Sequence, residues 1–261
     1  MTITREQSGA VSVLTLNRPG VLNAFDDALG RDLLAGLSEG ARDDSVRCIV
    51  ITGSGRAFCA GEDLAPLAED YAAGRSPDLG TTLRERYNPI IRSIREAPKP
   101  VIAAVNGVAA GAGASLALAC DYRVASESAR LILAFIKVGL VPDSGALWFL
   151  SKMVGTARAF NLAVTGDAMS AEDALACGIF DEVAPRENFE STWRGAADRF
   201  AAGPTRAYAL SKRLLAGATD RSLEEQLELE ISAQSEAGRT ADHLAGVEAF
   251  FSKQSPTFQG R

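Results

Sequence analysis

One histidine, His243, is all the imidazole that this chain of 261 residues possesses. A Ser-His-Asp hydrolase would have to place that one residue beside its nucleophile, and a usual zinc site would lack nitrogen ligands. Carboxylates alone could still hold a hard cation, but no metal is expected. Cysteine is sparse as well: Cys48, Cys59, Cys120 and Cys177 lie far apart, form no Cys-x-x-Cys pair and sit in apolar or Ala-rich surroundings. They read as reduced core residues. Long hydrophobic runs are missing, since Val101–Val105 and Val108–Cys120 are short or built from Ala and Gly, below the ~20 residues of a membrane span. No membrane partner is expected. There is no excess of positive charge, the formal net charge being −6 with scattered basic residues, so nucleic acid is not an expected partner. Met1 leads directly into Thr2-Ile3-Thr4-Arg5-Glu6, without the basic, apolar, small-residue order of a signal peptide, and a cytoplasmic location is expected.

What the chain does have is apolar content, 47% against 23% charged, enough for one large domain with an appendage. Thr2–Arg5 and Ala10–Leu16 around Gly9 carry a hairpin signature, closed by Asn17-Arg18-Pro19-Gly20. Leu29, Leu33, Leu34 and Leu37 mark a helical stripe between Asp26 and Ala41, and Val46–Thr52 is a β-branched strand. The alternation continues with a helix over Leu79–Ile94, the breaker Ala97-Pro98-Lys99-Pro100, a strand over Val101–Val105 and a small-residue helix over Gly111–Cys120. Tyr122–Ala125 and Leu131–Leu133 read as short strands, and beyond Pro142 the pattern is helical. This predicts an α/β fold with a core over residues 1–202 and a helical region over 203–261. Stripes such as Leu223, Leu227, Ile231 and Leu244, Val247, Phe251 suit a subunit interface or the cover of the chain's own core.

Two glycine-rich segments follow strands: Gly53-Ser54-Gly55-Arg56-Ala57-Phe58-Cys59-Ala60-Gly61-Glu62-Asp63-Leu64, leading into a helix, and Asn106-Gly107-Val108-Ala109-Ala110-Gly111-Ala112-Gly113-Ala114-Ser115. Each alone is ordinary, the first a strand-to-helix connection with Asp63 as cap, the second a close-packed buried helix. Together they could aim two N–H groups at one oxygen, an oxyanion hole backed by the positive end of a helix starting near Gly111.

These segments, with Asn17-Arg18-Pro19-Gly20-Val21-Leu22-Asn23-Ala24, Lys99–Gly107 and Val164-Thr165-Gly166-Asp167, resemble the crotonase (enoyl-CoA hydratase/isomerase) superfamily over almost the whole chain. The resemblance implies a crotonase-like ββα spiral core with a C-terminal oligomerisation region, and a homotrimer or dimer of trimers. It implies an acyl-CoA substrate, coenzyme A entering as part of the thioester and no separate cofactor. It places the oxyanion N–H groups on Glu62 and Ala112, with Gly111 and Asp63 beside them as substrate-binding positions. It puts CoA against Leu22, Ala24 and Ala60, with Lys253 as a phosphate contact. Lys253 also reads as a solvated surface charge.

Hydratases of the superfamily use two glutamates, and Ser115 and Phe135 stand where these would align. Water addition by that mechanism is therefore not expected. Asp143, in Gly139-Leu140-Val141-Pro142-Asp143-Ser144-Gly145, reads locally as a helix cap. By resemblance to the ring-1,2-epoxyphenylacetyl-CoA isomerases of this superfamily, it is the acid/base. The same comparison puts Asn88 near the acyl pocket, although it also suits the cap of a helix beginning at Pro89. Where that subgroup has a second glycine after Gly145, Ala146 and Leu147 stand here. The resulting expectation is an acyl-CoA isomerase, with an enoyl-CoA hydratase or other crotonase-type lyase or hydrolase as the alternative and a non-catalytic acyl-CoA-binding or scaffold protein more remote. A dinucleotide oxidoreductase fits poorly, because Gly107, Gly111 and Gly113 lack the Gly-x-Gly-x-x-Gly spacing.

Overall fold

The computed structural model describes residues 1–261. Its first two strands, β1 (Ile3–Ser8) and β2 (Val11–Leu16), form the expected antiparallel hairpin, running from Ile3↔Leu16 to Ser8↔Val11. Asp26 then caps α1 (Asp27–Arg42) by accepting the Leu29 N–H at 2.7 Å, satisfying a donor that the first helical turn leaves free. Leu29, Leu33 and Leu37 bury the face that the periodicity marks.

The chain next repeats one manoeuvre three times. β3 (Cys48–Gly53) turns into β4 (Ala57–Cys59), β5 (Val101–Val105) into β6 (Val108–Ala110), and β7 (Tyr122–Ser126) into β8 (Arg130–Ile132). The first strand of each pair joins a six-stranded sheet of order β1-β2-β3-β5-β7-β10, closed by β10 (Glu182–Ala184) and parallel beyond the hairpin. The second joins a four-stranded sheet of order β4-β6-β8-β9, with β9 (Met169–Ser170) antiparallel at its edge. Two corners need glycine: a Cβ on Gly53 would lie 2.2 Å from the Ala57 carbonyl oxygen, and one on Gly107 2.2 Å from that of Arg56. Asn23 fastens the same corner, its Nδ2 donating to the carbonyls of Ser54 at 2.9 Å and Ala57 at 2.8 Å while its Oδ1 accepts the Arg18 N–H at 2.9 Å.

Helices fill the spaces. Between β4 and β5 run α2 (Ala68–Ala72), α3 (Leu79–Thr82), a π-helical turn over Leu83–Tyr87 and α4 (Asn88–Glu96). The single helix expected over Leu79–Ile94 is thus broken by one wide turn, and the helix expected after Gly61–Leu64 is a 3-10 turn over Ala65–Leu67 followed by the short α2. α5 (Ala112–Ala119) is buried along its whole length, and its small side chains let β4, β6, α4 and α6 close on it. α6 (Ala146–Val154), α7 (Thr156–Thr165), α8 (Ala171–Ala176) and α9 (Phe189–Ala201) complete the core. Strand alternation divides the burial. Leu14, Ile49, Ile51 and Ala103 face the main core, while Val13, Val50, Ile102 and Val124 pack under Trp193 and Ala197 of α9.

The chain ends in α10 (Thr205–Leu215), α11 (Leu223–Ala237) and α12 (Ala241–Ser252). Lys212 pins α10 to the core, donating to the Ile94 carbonyl at 2.6 Å and pairing with Asp121 at 2.6 Å. Arg47 holds the C-terminus through Thr205 Oγ1 at 3.0 Å and the Phe258 carbonyl at 2.8 Å. No helix is long and apolar enough to cross a membrane.

Asn23 combines 0% exposure, three tight side-chain bonds and a φ of 57°, which asparagine tolerates and alanine does not. Asn23→Ala is expected to cost about 3 kcal/mol or more in urea unfolding with the slope unchanged. A loss under about 1 kcal/mol would contradict this role for the corner.

Candidate active site

Two peptide units with one end anchored and the other free define the site. The Gly61 carbonyl accepts the Phe25 N–H at 2.7 Å, and the Asp63 N–H donates to the Phe25 carbonyl at 2.9 Å. Because C=O and N–H point oppositely in a trans peptide plane, anchoring the Gly61 oxygen aims the Glu62 N–H away from Phe25. That N–H has no acceptor in the protein. The Gly111 carbonyl is held in the same manner, by the Ser115 N–H at 3.1 Å. Ala112 opens α5, so its N–H has no intrahelical partner and lies at the helix's positive end. Gly61 (φ 96°) and Gly111 (φ 51°) take left-handed conformations that glycine adopts without strain. A Cβ on Gly61 would lie 3.0 Å from the Ala110 carbonyl oxygen and 3.5 Å from the Ala112 nitrogen, which measures how closely the two turns meet.

The two N–H-bearing residues line a cavity of ≈ 220 Å³, whose apolar wall includes Leu64, Leu67, Tyr71, Leu79, Phe135 and Leu140. Two carboxyl groups line it as well, Asp143 and Glu62. Asp143 lies in the loop before α6, half-buried, and its side chain meets no cation. Burial pushes its carboxyl above the usual carboxylate range, the Ser144 hydroxyl bond at 2.8 Å pulls it partly back, and the negative charge of Glu62 raises it further. Glu62 is tied down. Arg86 Nη1 donates to both of its oxygens at 3.0 and 2.9 Å, and the Tyr87 hydroxyl donates to one of them. Burial and the neighbouring Glu62 push Tyr87 upward, keeping it a donor. Arg86 reaches Glu62 because Gly30 of α1 leaves room, a Cβ there falling 2.6 Å from Arg86 Cγ.

Of the residues singled out from sequence, Glu62, Ala112, Gly111, Ala60 and Asp143 line this cavity. Leu22 and Ala24 sit in the preceding loop with their carbonyls engaged, by the Ala60 N–H at 3.0 Å and by Arg18 at 2.5 Å. Asp63 pairs with Arg18 at 3.0 Å; it caps no α-helix, because the segment after it is a 3-10 turn. Asn88 is outside the lining, since the π-helical turn brings Arg86 and Tyr87 to the cavity instead, and its own helical backbone removes the cap reading too. Lys253 lies exposed at the end of α12, which contributes nothing to the cavity wall. Asp143 does not cap α6 either, as Gly145 occupies that position. The clamp on Glu62 escaped the sequence reading, because an arginine and a tyrosine inside a presumed regular helix carry no local signal of what they touch.

Cys59 lies under the first turn, where burial pushes its thiol up to about 12, an inert packing group. No group of three or more His, Cys, Asp or Glu side chains is placed to hold a metal ion. A wider cleft of ≈ 390 Å³ beside α10 is lined by Arg95, Asp121, Lys152 and Lys212. Its charges are already paired: Arg95 and Lys212 with Asp121, Lys152 with Asp220.

Paired backbone donors that share a cavity with a half-buried carboxyl suit stabilisation of a thioester enolate, and comparison with known proteins points the same way. Residues 6–261 match the family model described as Enoyl-CoA hydratase/isomerase. The chain is 45% identical over 251 residues to 1,2-epoxyphenylacetyl-CoA isomerase of Escherichia coli (strain K12), covering 96% of this chain and 95% of that protein. It is 34% identical over 261 residues to 2,3-dehydroadipyl-CoA hydratase of the same organism, covering 100% and 99%. An enoyl-CoA hydratase structure from Polaromonas sp. JS666 superposes with a TM-score of 0.91 at 33% identity, covering 98% of this chain and 99% of that one. With the spiral core, the paired turns and a family match over nearly its full length, the chain belongs to the enoyl-CoA hydratase/isomerase family.

Proposed function

We propose that the chain is a cytoplasmic acyl-CoA isomerase that shifts a double bond or rearranges a ring epoxide in an unsaturated or aromatic acyl thioester, with Asp143 as its acid/base. The observation that carries this reading is the unequal state of the two carboxyl groups in the cavity. Glu62 is occupied by Arg86 and Tyr87, whereas Asp143 is free of any cation and pushed toward a useful range by burial. As carboxylate, Asp143 takes a proton from the acyl chain. The electron pair moves onto the thioester oxygen, where the Glu62 and Ala112 N–H groups and the α5 dipole hold the negative charge. The protonated Asp143 then returns its proton at another carbon. One carboxyl suffices, and the likeness to the E. coli epoxyphenylacetyl-CoA isomerase supports a ring substrate. CoA enters with the substrate, so no further cofactor is required. Hydration is the second reading, favoured by the hydratase relative and by the presence of Glu62 in the same cavity.

The assembly proposed is a homotrimer or a dimer of trimers built on the C-terminal helices. Leu223, Phe250 and Phe251 are 70%, 79% and 79% exposed in the single chain, with Ile231 and Leu244 beside them, more apolar surface than a monomer comfortably leaves to water. Light scattering at micromolar concentration is expected to give three or six times the 27.4 kDa chain mass. A monomer would contradict it.

Asp143→Asn is expected to lower isomerisation of a 3-enoyl-CoA about a hundredfold or more while acyl-CoA affinity stays within about twofold, because the CoA contacts lie elsewhere. The appearance of conjugated-thioester absorbance reports isomerisation, and its disappearance from a 2-enoyl-CoA would report hydration. Turnover that persists in a folded Asp143→Asn protein would move the chemistry to another residue. Hydration as the main wild-type activity would favour the second reading.

A further inference from the structure

Ser144 holds a backbone conformation that costs a serine energy. Its φ is 53°, in the left-handed region where any residue bearing a Cβ is strained, and a glycine there would be free of that strain. Its side chain is largely shielded from water, the residue being 6% exposed. The hydroxyl instead donates to Asp143 Oδ1 at 2.8 Å. From the other side Ser115, fully buried in α5, directs its hydroxyl at the Asp143 carbonyl oxygen at 3.1 Å. Asp143 is therefore tethered at its main chain and at one carboxyl oxygen, while Oδ2 has no hydrogen-bond partner in the protein. Strain kept at a residue whose hydroxyl grips a reacting carboxyl is the kind of outlier from which function can be inferred.

We propose that Ser144 is a positioning residue that holds the Asp143 carboxyl so that Oδ2 is the oxygen exchanging the proton with the acyl chain, with Ser115 bracing the same loop from α5. This rests on the reading of Asp143 as acid/base. The Ser115 N–H holds the Gly111 carbonyl at 3.1 Å, and its single hydroxyl proton lies between that oxygen, 3.3 Å away, and the Asp143 carbonyl, so the acid loop and the oxyanion peptide meet at one residue. The bond from Ser144 has a second effect: it opposes the upward push of burial on Asp143. The other groups facing this carboxyl are few. Glu62 presents a negative charge across the cavity, already paired with Arg86 and Tyr87. α5 and the first turn of α6 carry no titratable side chain, and the 3-10 turn over Ala134–Val138 carries Lys137, exposed and lying over Gly166. Removing the Ser144 hydroxyl therefore leaves Asp143 harder to ionise, with nothing nearby to replace the lost donor.

Ser144→Gly tests this, since glycine accepts the backbone conformation and deletes the hydroxyl. With folding verified by circular dichroism, kcat is expected to fall about tenfold, with KM for the acyl-CoA within about twofold. The acidic limb of the kcat/KM profile, where activity is lost as the Asp143 carboxylate takes up a proton, should move up by about one pH unit. Ser144→Ala removes the same hydroxyl while keeping the Cβ, and should reproduce both changes. Wild-type kcat and an unmoved limb in folded Ser144→Gly would overturn the inference, as would a fall in kcat with the limb in place, the mark of a structural role. Persistent turnover in Asp143→Asn would instead overturn the reading beneath it, so the two failures are distinguishable.

Discussion

A Cβ on Gly113 would sit 2.3 Å from the Cys59 carbonyl oxygen, and one on Gly61 3.0 Å from that of Ala110. The site depends on neither residue having one. This close approach of two backbone turns lets N–H groups from different sheet corners converge, and the corners can converge because Gly53 and Gly107 let each chain segment pass from one sheet to the other without bulk. Each N–H is then aimed through its own peptide plane, by Phe25 gripping the Gly61 carbonyl and Ser115 gripping that of Gly111. The donors are fixed by the fold itself, so under the proposed function little reorganisation would oppose charge development on the thioester oxygen.

The same cavity separates two carboxyl groups by environment. Glu62 has its negative charge answered by Arg86 and Tyr87, which under the proposed function leaves its backbone N–H for the thioester oxygen. Asp143 has a hydroxyl but no cation, and burial dominates its behaviour. The proposed assignment of Asp143 as acid/base rests on which partners each carboxyl meets.

Much of this was legible in the chain. Glycine-rich segments after strands, the alternation of Val46–Thr52 and Val101–Val105 with helical stripes, and Asp143 after an apolar stretch all carry local physical signals, and the family resemblance gave them an order. What escaped lies in short or irregular structure. β4, β6, β9 and β10 span two or three residues each, too few for periodicity to register. The wide turn at Leu83–Tyr87 is invisible to a 3.6-residue pattern, and it is the reason that Arg86 and Tyr87, rather than Asn88, reach the cavity. The strain at Ser144 is a dihedral angle, and serine in a loop announces no such thing. Gly30 shows the limit from the other direction: a glycine inside a helix costs stability locally, and its reason appears when the Arg86 stem is found passing over it.

The central claim is that this backbone frame supports a thioester enolate made by Asp143, and exchange of the α-proton of a saturated acyl-CoA tests it most directly, because such a substrate can be deprotonated but not isomerised. Butyryl-CoA incubated with the protein in deuterium oxide and followed by mass spectrometry is predicted to take up deuterium at its α carbon with the wild-type enzyme. Uptake is predicted to be about a hundredfold or more slower with Asp143→Asn. A wild-type protein that binds the thioester and exchanges nothing, or an Asp143→Asn variant that exchanges at the wild-type rate, would contradict the account.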